Sequence, residues 1–379
     1  MKIAINARFL QAEKLEGIGW YTFELCKRWV ESHPQDQFVL LYDRPQETWL
    51  IKGGNVESVV IGPKARHFFS FWYWFDVQVP KILKKKQVDV FFSPDNFLSL
   101  TTSVPIVLTT HDIAHYHYPA QVALIHRPYY RWFIPAFLRK ADKIVAVAEY
   151  GKQDLIDHYQ VSADKIMVVP NGTREVFQPI SSTVQVQIKQ RYSQGQEFFF
   201  FLGAIHPRKN LIGLIRGYER FRTNTQAPVK LLIAGKLAWQ VEEIMQIHAQ
   251  SPFAQDIIFL GYVPEETAAQ LMATALALTY LSFFEGFGLP VLEALCTDTP
   301  VITSNTSSLP EVAGAAALLV DPHNIDEIAA AMQRIWNEPE LRADLVKKGR
   351  QQRLLFSWDE AARQIYAVLE STVKQNQRL

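Results

Sequence analysis

Short apolar runs recur along the whole chain, and a segment with helical spacing follows most of them. The runs are mostly continuous instead of alternating with polar residues, which is typical of parallel strands covered on both faces. They predict strands at 2–6, 37–43, 58–62, 88–93, 105–110, 143–148, 165–170, 198–203, 230–235, 256–261, 275–282, 300–304 and 316–321. Strands that alternate with helices predict α/β architecture with doubly wound parallel sheets.

A polar stretch rich in Ser and Gln separates these runs into two groups. It covers residues 178–196 and precedes a fresh strand. A chain of 379 residues is also long for one hydrophobic core, so two domains are expected. We therefore predict an N-terminal domain over 1–180 and a C-terminal domain over 196–357. Ser357 and Glu360 have capping-box spacing, which predicts that a final helix begins there.

The amino-acid composition limits the classes of protein to which this chain can belong. Hydrophobic residues make up 48% of the chain, charged residues 20%, and the net charge is +1. These values are typical of a soluble globular protein and give no electrostatic reason to expect nucleic acid. Cys26 and Cys296 suggest neither a disulfide framework nor a zinc site, and they fit a reducing cytosol. The N-terminal apolar run is too short for a signal peptide, and no transmembrane span is expected.

One stretch combines a strand end, a glycine turn and two carboxylates. Residues 280–295 read YLSFFEGFGLPVLEAL. Ligands of doubly wound sheets bind beyond the carboxyl ends of the strands. Gly286 and Gly288 would let backbone N–H groups and the following helix face a phosphate. Glu285 would suit neutral hydroxyls, and Glu293 a second pair such as those of a ribose. The alternative is an ordinary strand–turn–helix with two solvated glutamates.

Two further motifs of the second half also follow strands. In GAIHPRKN (203–210), Arg208 and Lys209 would open a helix, where cations oppose the helix dipole. A bound diphosphate would explain them, although a solvated basic pair is the alternative. In GYVPEE (261–266), Val263 could pack on a flat base, although an ordinary loop explains this motif equally well.

The first half has polar and glycine-rich strand ends of its own. Gly17 and Gly19 predict a tight loop that leads into a helix. The loop does not complete G-x-G-x-x-G because residue 22 is Thr, so it is a weak indication of dinucleotide binding. His111 and Asp112 directly follow a strand, where they would face an interdomain cleft.

Two more histidines follow His111, which raises the question of a metal cluster. His115 and His117 stand four and six positions further along. No carboxylate or cysteine pattern accompanies them in the sequence. We therefore predict no metal site.

Together these motifs resemble those of glycosyltransferase family 4, whose members are retaining enzymes with GT-B architecture. That architecture consists of two Rossmann-like doubly wound domains facing a central cleft. The resemblance covers nearly the whole chain, and its most specific element is the E-x7-E pair of Glu285 and Glu293. The supporting matches are the glycine loop 17–19, the pair 111–112, PNG at 170–172, PRKN at 207–210, GYVP at 261–264 and SSLPEVAG at 307–314.

The resemblance implies a nucleotide-sugar site. Glu293 would bind the ribose, Glu285 the sugar hydroxyls, and Arg208 with Lys209 the diphosphate. His111 would lie near the 6-position of the transferred sugar, and the positive groups would do the work of a metal at the leaving diphosphate. The donor would also meet Gly286, Phe287, Gly288, Leu289, Val263 and Gly203, while Gly17 and Gly19 would approach the diphosphate or the acceptor.

The resemblance further implies transfer of a hexose with retention, without a metal or other cofactor. GDP-mannose is the favoured donor because the motifs resemble those of bacterial mannosyltransferases, and UDP-sugars are close behind. The acceptor would be a glycan or a lipid-linked glycan of a cell-envelope polysaccharide, made in the cytoplasm or at the inner membrane face. The oligomeric state stays open. The alternatives are a sugar-nucleotide 2-epimerase on the same architecture and a non-catalytic nucleotide-sugar-binding protein.

The chain departs from the family pattern at several positions. Leu281 and Ser282, followed by two Phe, stand where a Pro-Ser pair often precedes the first signature Glu. Ala148 and Gly151 stand where the family commonly has serines after its sixth strand, which puts a helix cap or ligand contact in doubt. Trp20 replaces a frequent basic residue after the glycine loop. The resemblance also implies that a C-terminal helix, at about 358–379, crosses back onto the first domain.

Two aromatic and basic segments, at 64–87 and 127–140, allow two interpretations. They could lie on a membrane surface that presents a lipid-linked acceptor. They could instead be core helices with solvated basic ends. Helical spacing favours the core interpretation for the first segment, on Phe68, Phe71, Trp72 and Phe75.

Overall fold

The chain folds into two compact units. The structure is a computed structural model that describes residues 1–12, 15–65, 68–124, 127–237 and 241–377. The first unit comprises Met1–Gly172 together with Ser357–Leu379, and the second comprises Thr173–Phe356. Each unit is built around one parallel β-sheet with helices in the crossovers.

Seven parallel strands form the sheet of the first unit, in the order β3-β2-β1-β4-β5-β6-β7. Their bounds are β1 Lys2–Asn6, β2 Gln37–Tyr42, β3 Val56–Val60, β4 Val90–Ser93, β5 Ile106–Thr110, β6 Lys143–Ala146 and β7 Ile166–Val168. Six parallel strands form the sheet of the second unit, in the order β10-β9-β8-β11-β12-β13. Their bounds are β8 Phe198–Leu202, β9 Lys230–Ala234, β10 Ile257–Gly261, β11 Ala277–Tyr280, β12 Val301–Ser304 and β13 Ala317–Val320.

The strand predictions are confirmed in both units, since each predicted run overlaps one of these strands, although β3 begins at Val56, two residues before the predicted run 58–62. Continuous apolar runs form central strands because helices cover both faces of the sheet. In β8 the four residues from Phe198 to Phe201 are all fully buried. The α/β class with doubly wound parallel sheets is therefore correct.

Helices fill the crossovers between the strands. In chain order they are α1 Ile18–Ser32, α2 Phe68–Tyr73, α3 Val79–Lys86, α4 Ala114–His117, α5 Arg127–Lys140, α6 Glu149–Tyr159, α7 Ser182–Ser193, α8 Leu211–Thr225, α9 Glu242–Gln250, α10 Glu265–Thr274, α11 Leu289–Cys296, α12 Leu309–Ala313, α13 Ile325–Asn337, α14 Pro339–Gln352 and α15 Trp358–Asn376. A π-helical turn, Trp74–Gln78, joins α2 to α3. Ala148 is the N-cap of α6 and offers no side-chain hydrogen bond to it, whereas a serine there could cap the helix.

Each sheet has a point at which the strand order reverses. In the first unit β1 pairs with both β2 and β4, and in the second β8 pairs with both β9 and β11. The chain therefore leaves neighbouring strands in opposite directions, and a crevice opens beyond their carboxyl ends. The loops after β1 and β4, and those after β8 and β11, border these two crevices.

The boundary between the units differs from the predicted one. Residues 173–180 pack with the second unit and not with the first. Arg174 forms ion pairs with Glu265 and Glu293 of that unit, and Phe177 is buried. The polar stretch 178–196, predicted to separate the two groups of strands, contains α7, whose Gln185 side chain donates to the carbonyl of Ala273 in α10. Its polar residues are the solvent side of a surface helix.

The last helix, α15, packs in the first unit. Ser357 is its N-cap and accepts hydrogen bonds from the N–H groups of Asp359 and Glu360, as its position in the capping box predicts. The Glu360 side chain pairs instead with Arg363. Trp29 of α1 donates its indole N–H to the carbonyl of Ala362, at 2.8 Å, which ties α15 to α1. Residues 378–379 of the predicted helix lie outside the described residues.

The aromatic segments are partly core and partly surface. In the segment 64–87, Trp74 and Phe75 are buried, whereas Phe69 is 71% exposed. In α5 the residues Ile134, Phe137 and Leu138 are buried, whereas Trp132 is 72% exposed. Residues 66–67 and the side chain of Phe68 lie outside the described part. No helix within the described residues is long and apolar enough to cross a bilayer.

Candidate functional site

Three polar side chains meet at the crevice of the second unit. The Lys209 Nζ donates to the Tyr280 hydroxyl at 2.6 Å and to Glu285 Oε1 at 2.5 Å. The Tyr280 hydroxyl donates to the same carboxylate oxygen, at 3.0 Å. Lys209 comes from the loop after β8, whereas Tyr280 ends β11 and Glu285 follows it. Two loops that are distant in sequence are thus brought together by the pairing of β8 with β11.

Local structure explains the position of Lys209, and it corrects one prediction. Arg208 and Lys209 do not open a helix but lie in a 3-10 turn, Pro207–Lys209. The helix α8 begins at Leu211, because Asn210 adopts the left-handed conformation and its side chain accepts from Gly213 N–H. The sequence placed the two cations in the first turn of α8, whereas they stand just before it.

Burial and nearby positive charge have opposing effects on the pKa of Glu285. Burial raises its pKa, but the adjacent Lys209 and Arg208 lower it, and the net pKa lies below the ordinary value. The Tyr280 hydroxyl is buried and donates to this carboxylate, so its pKa is well above the ordinary value. Burial, with Arg208 and Lys209 nearby, lowers the pKa of His206 to about 4. At neutral pH Glu285 is therefore ionised and His206 is neutral.

Glu293 lies in α11 and is paired differently. Its Oε1 accepts from Arg174 Nη2 at 2.6 Å, and Arg174 Nη1 lies 3.0 Å from Glu265 Oε1. Burial raises the pKa of Glu293 more than Arg174 lowers it. Glu265 begins α10, just after the GYVP motif, so Arg174 connects that motif to Glu293. Val263 itself is partly buried and follows β10.

The glycine turn presents a row of backbone amides. In the described part of the chain, the N–H groups of residues 286–289 donate to no backbone or side-chain acceptor. Gly288 is the N-cap of α11 with φ 107°, and a Cβ there would lie 2.7 Å from Leu309 Cδ2. Buried amides are normally paired, so Phe287 and Gly288 in particular call for an acceptor. The turn fits an anion held by these amides and the start of α11.

Two serines hold this turn in place. The Ser307 hydroxyl oxygen accepts from the N–H of Glu285 at 3.0 Å. The Ser308 hydroxyl lies 2.9 Å from the carbonyl oxygen of Glu285 and 2.8 Å from that of Phe287, and it donates to them. The motif SSLPEVAG thus fixes the backbone on which the amides depend.

Gly203 lies at the end of β8, beside the same crevice. A Cβ at Gly235 would come within 1.8 Å of the carbonyl oxygen of Gly203, so the two glycines allow a close approach of two loops. The Phe283 N–H donates to the carbonyl of Arg208 at 2.9 Å, which joins the loops after β8 and β11. The backbone around Lys209 is therefore fixed from two sides.

The remaining candidates belong to the first unit. His111 follows β5, and its Nε2 lies 2.8 Å from the carbonyl oxygen of Pro94, so Nε2 carries the proton and Nδ1 can accept. Burial lowers the pKa of His111, which keeps the ring neutral. Tyr21 of α1 contacts this ring edge to face, with centroids 4.8 Å apart.

Backbone conformation and close packing explain why glycines occur in the loop 17–19 of the first unit. Gly17 has φ 36° and is the N-cap of α1. Gly19 lies within α1, where a Cβ would come within 2.5 Å of the carbonyl oxygen of Phe9. This close contact favours glycine at residue 19 without any ligand.

Sequence reasoning missed Tyr280 and Arg174. Tyr280 was taken as an apolar strand residue, although its position at a strand end could have indicated a role. Arg174 stands 119 positions from Glu293, and nothing in the local pattern links them. Both side chains satisfy a buried carboxylate, which costs free energy if it is left unpaired.

The arrangement as a whole suits a ligand with an anionic part and a hydroxyl-rich part. The amides of residues 286–289 directly follow Glu285, which binds Lys209, and Glu293 lies in the helix that begins at Leu289. Each carboxylate can exchange its present partner for ligand hydroxyls.

Comparison with known proteins identifies the family. The profile of the family described as "Glycosyl transferases group 1" matches residues 185–352, and that of "Glycosyltransferase Family 4" matches residues 15–175. The O-antigen chain mannosyltransferase B of Escherichia coli is 30% identical over 259 residues, which are 68% of each chain. The chain belongs to glycosyltransferase family 4. It is therefore a glycosyltransferase.

Another relative in this family is the serotype-specific mannosyltransferase WbdA of Escherichia coli. It is 28% identical over 231 residues, which are 60% of this chain but only 28% of WbdA. The chain thus spans about a quarter of WbdA.

Solved structures show the fold. HepE of Anabaena in complex with UDP and glucose superposes with a TM-score of 0.76 at 17% identity, covering 98% of this chain and 100% of HepE. WaaG, a glycosyltransferase of lipopolysaccharide biosynthesis, superposes with a TM-score of 0.76 at 13% identity, covering 97% and 99%. With its two parallel-sheet units, this family 4 glycosyltransferase has the GT-B fold.

Proposed function

We propose that this glycosyltransferase transfers a hexose from a nucleotide sugar with retention, with GDP-mannose as the favoured donor. The observation that carries the proposal is the group formed by Lys209, Tyr280 and Glu285 beside the unpaired amides of residues 286–289. A nucleoside diphosphate sugar has the matching parts: an anionic diphosphate between a ribose and a sugar.

Each group of the site then has a role. The amides of 286–289, with Arg208 and Lys209, hold the diphosphate. Glu285 accepts hydrogen bonds from the sugar hydroxyls, since it is ionised and buried. Glu293 accepts from the ribose hydroxyls. Arg174 now occupies Glu293 Oε1, so the ribose must share this oxygen or displace Arg174.

In the proposed reaction, negative charge develops on the leaving diphosphate. The bond between the sugar C1 and the diphosphate oxygen breaks, and the oxygen keeps the electron pair. Lys209, Arg208 and the amides stabilise this negative charge without a metal. The acceptor hydroxyl attacks C1 on the face that the diphosphate leaves, and its proton passes to the departing phosphate oxygen. This route retains the anomeric configuration without a covalent enzyme intermediate.

The choice of donor and acceptor rests on the relatives. E. coli mannosyltransferase B and WbdA are named as mannosyltransferases, which supports mannose as the sugar. UDP-sugars remain the second choice, as HepE holds UDP and glucose. We propose a glycan or lipid-linked acceptor of an envelope polysaccharide, and activity in the cytoplasm at the inner membrane face. The exposed Phe69 and Trp132 could contact that membrane.

Ligand binding and product stereochemistry test the proposal. A thermal-shift series with GDP, UDP, ADP and their sugars should show the largest stabilisation with GDP-mannose. A ligand at a hundredfold its dissociation constant stabilises the folded state by about 2.7 kcal/mol. NMR of the product should show the anomeric configuration of the donor, and a chelator should leave the rate unchanged. Stabilisation by none of these nucleotides, or an inverted product, would contradict the proposal.

A further inference from the structure

Three side chains of the first unit converge at a place that the transferase chemistry does not use. The Nε2 of His117 lies 2.8 Å from Asp154 Oδ1 and 2.9 Å from Oδ2. The Nε2 of His158 lies 3.3 Å from Asp154 Oδ1. One ligand atom from each of the three residues lies within 4.8 Å of the other two. We propose that His117, Asp154 and His158 bind a zinc ion.

The residue types fit zinc and not magnesium or calcium. Two imidazoles and one carboxylate are common zinc ligands, whereas Mg²⁺ and Ca²⁺ prefer oxygen alone. With metal–ligand bonds of about 2.0–2.1 Å, tetrahedral geometry places neighbouring ligand atoms about 3.3 Å apart. The distance from His158 to Asp154 already has this value, and that from His117 must lengthen by a few tenths of an ångström.

The backbone supports this geometry. Asp154 and His158 stand four residues apart on α6, so they share one face of that helix. His117 is the last residue of α4, a single turn that is too short to be stable by itself. A metal would therefore fasten α4, which follows directly after the strand end bearing His111, to α6.

The surroundings favour a metal ion that has three protein ligands and a fourth coordination position open to water. Asp154 is buried, whereas the side chains of His117 and His158 are 23% and 32% exposed. An ion could thus enter, and a water molecule could complete four ligands. Tyr116 packs on the His158 ring, with centroids 4.4 Å apart, which limits its rotation.

The proposal explains why the sequence indicated no metal site. In the sequence, Asp112 is the one carboxylate close to His115 and His117, and it is not part of this group. The fold supplies Asp154 instead, from a helix 37 positions after His117. His115 is not part of the group, because its Nε2 lies 2.9 Å from the Tyr159 hydroxyl. The proposed zinc ligands belong to the first unit, whereas the groups proposed to hold the diphosphate belong to the second.

Metal titration tests the site without reference to activity. Protein freed of its tag and treated with a chelator is titrated with Zn²⁺ by calorimetry, and with Co²⁺ by visible absorption. We expect one ion per chain and the strong absorption of four-coordinate cobalt. Asp154→Asn and His158→Gln should each weaken binding about 10-fold or more, by analogy with the loss of groups that support metal ligands. His33→Gln, in the same unit but outside the group, should bind as the wild type does.

Two results would overturn the proposal. One is that the wild type binds no metal ion in a stoichiometric amount. Hydrogen bonds alone would then connect the three side chains. The other is equal binding by wild type and His158→Gln, with circular dichroism showing both to be folded. His158 is partly exposed, so this second variant keeps the test valid if Asp154→Asn fails to fold.

Discussion

The two units carry a buried ion pair at the same topological position, yet the pairs are built differently. In the first unit Arg8 follows β1 and Asp95 follows β4; in the second, Lys209 follows β8 and Glu285 follows β11. Each pair bridges the two strands at which the sheet reverses its order. The side chains of Arg8 and Asp95 are 4% and 1% exposed, whereas those of Lys209 and Glu285 are 14% and 10% exposed.

The ion pair of the first unit is enclosed by other side chains. Besides its contact with Asp95 at 2.6 Å, the Arg8 guanidinium donates to Asn6 Oδ1 and lies over the rings of Phe71 and Phe75, at 4.4 and 4.7 Å. Phe71 and Phe75 thus cover this ion pair.

The pair of the second unit is open, because unpaired amides lie beside it. The comparison teaches that one topological position can be sealed for stability or left open for a ligand. It leads us to expect that breaking the first pair costs stability and breaking the second costs activity.

The largest effect is expected for Arg8→Met. The substitution leaves the Asp95 carboxylate buried without a counter-charge, which should lower the free energy of unfolding by about 3–5 kcal/mol. Urea unfolding followed by tryptophan fluorescence is suited to this test, since seven of the nine tryptophans lie in the first unit.

A matched control is Arg363→Met, which breaks the exposed pair with Glu360 in the same unit. Its unfolding midpoint should stay that of the wild type. If Arg8→Met were as stable as this control, the pair would not be the structural contact inferred here.

The next effect is expected for Lys209→Ala. Loss of one group that stabilises the leaving diphosphate should lower kcat by about 10²–10³-fold. Release of nucleoside diphosphate from GDP-mannose measures this, with Lys347→Ala, an exposed lysine of α14, as the control. Unchanged turnover would show that Lys209 does not face the diphosphate.

The pH dependence of donor use should distinguish the two carboxylates of the second unit. The free-enzyme pKa of Glu293 is raised and that of Glu285 is lowered. As pH falls, Glu293 is protonated first and accepts ribose hydroxyls poorly, so kcat/KM should fall about tenfold per pH unit below its raised pKa. Wild type and Glu293→Gln are compared between neutral and acidic pH. If Glu293→Gln kept the same profile, another group would titrate.

The smallest effect is expected for Tyr280→Phe. The substitution removes the hydroxyl that contacts both Lys209 and Glu285 but keeps the ring. A hydrogen bond to a charged group contributes about 1.5–3 kcal/mol, and Lys209 continues to hold Glu285, so the lower end is expected as a loss of unfolding free energy. Donor KM should change only a few-fold. A loss of kcat as large as that of Lys209→Ala would give Tyr280 a direct part in the chemistry.

The features that could be predicted from the sequence are those encoded within one contiguous segment of the chain. Continuous apolar runs identified the strands. Motifs at strand ends suggested Lys209, Glu285 and Glu293 as candidates, and the structure brings Lys209 and Glu285 into contact. The start of α8 was misplaced because the capping by Asn210 depends on a left-handed conformation.

Contacts between distant segments could not be predicted. Arg8 and Asp95 are 87 positions apart, and Arg174 and Glu293 are 119 apart. Their pairing depends on strand order and helix packing, which leave no local pattern. The contact of His117 with Asp154 was not expected for the same reason.

The central claim is that the open crevice of the second unit holds the diphosphate of a nucleotide sugar. Hydrogen exchange measured by mass spectrometry tests it directly, with and without GDP-mannose. The account predicts slower exchange in peptides covering 284–291 and 203–210, where the unpaired amides and Lys209 lie. Unchanged exchange in both peptides, at a donor concentration that saturates binding, would contradict it.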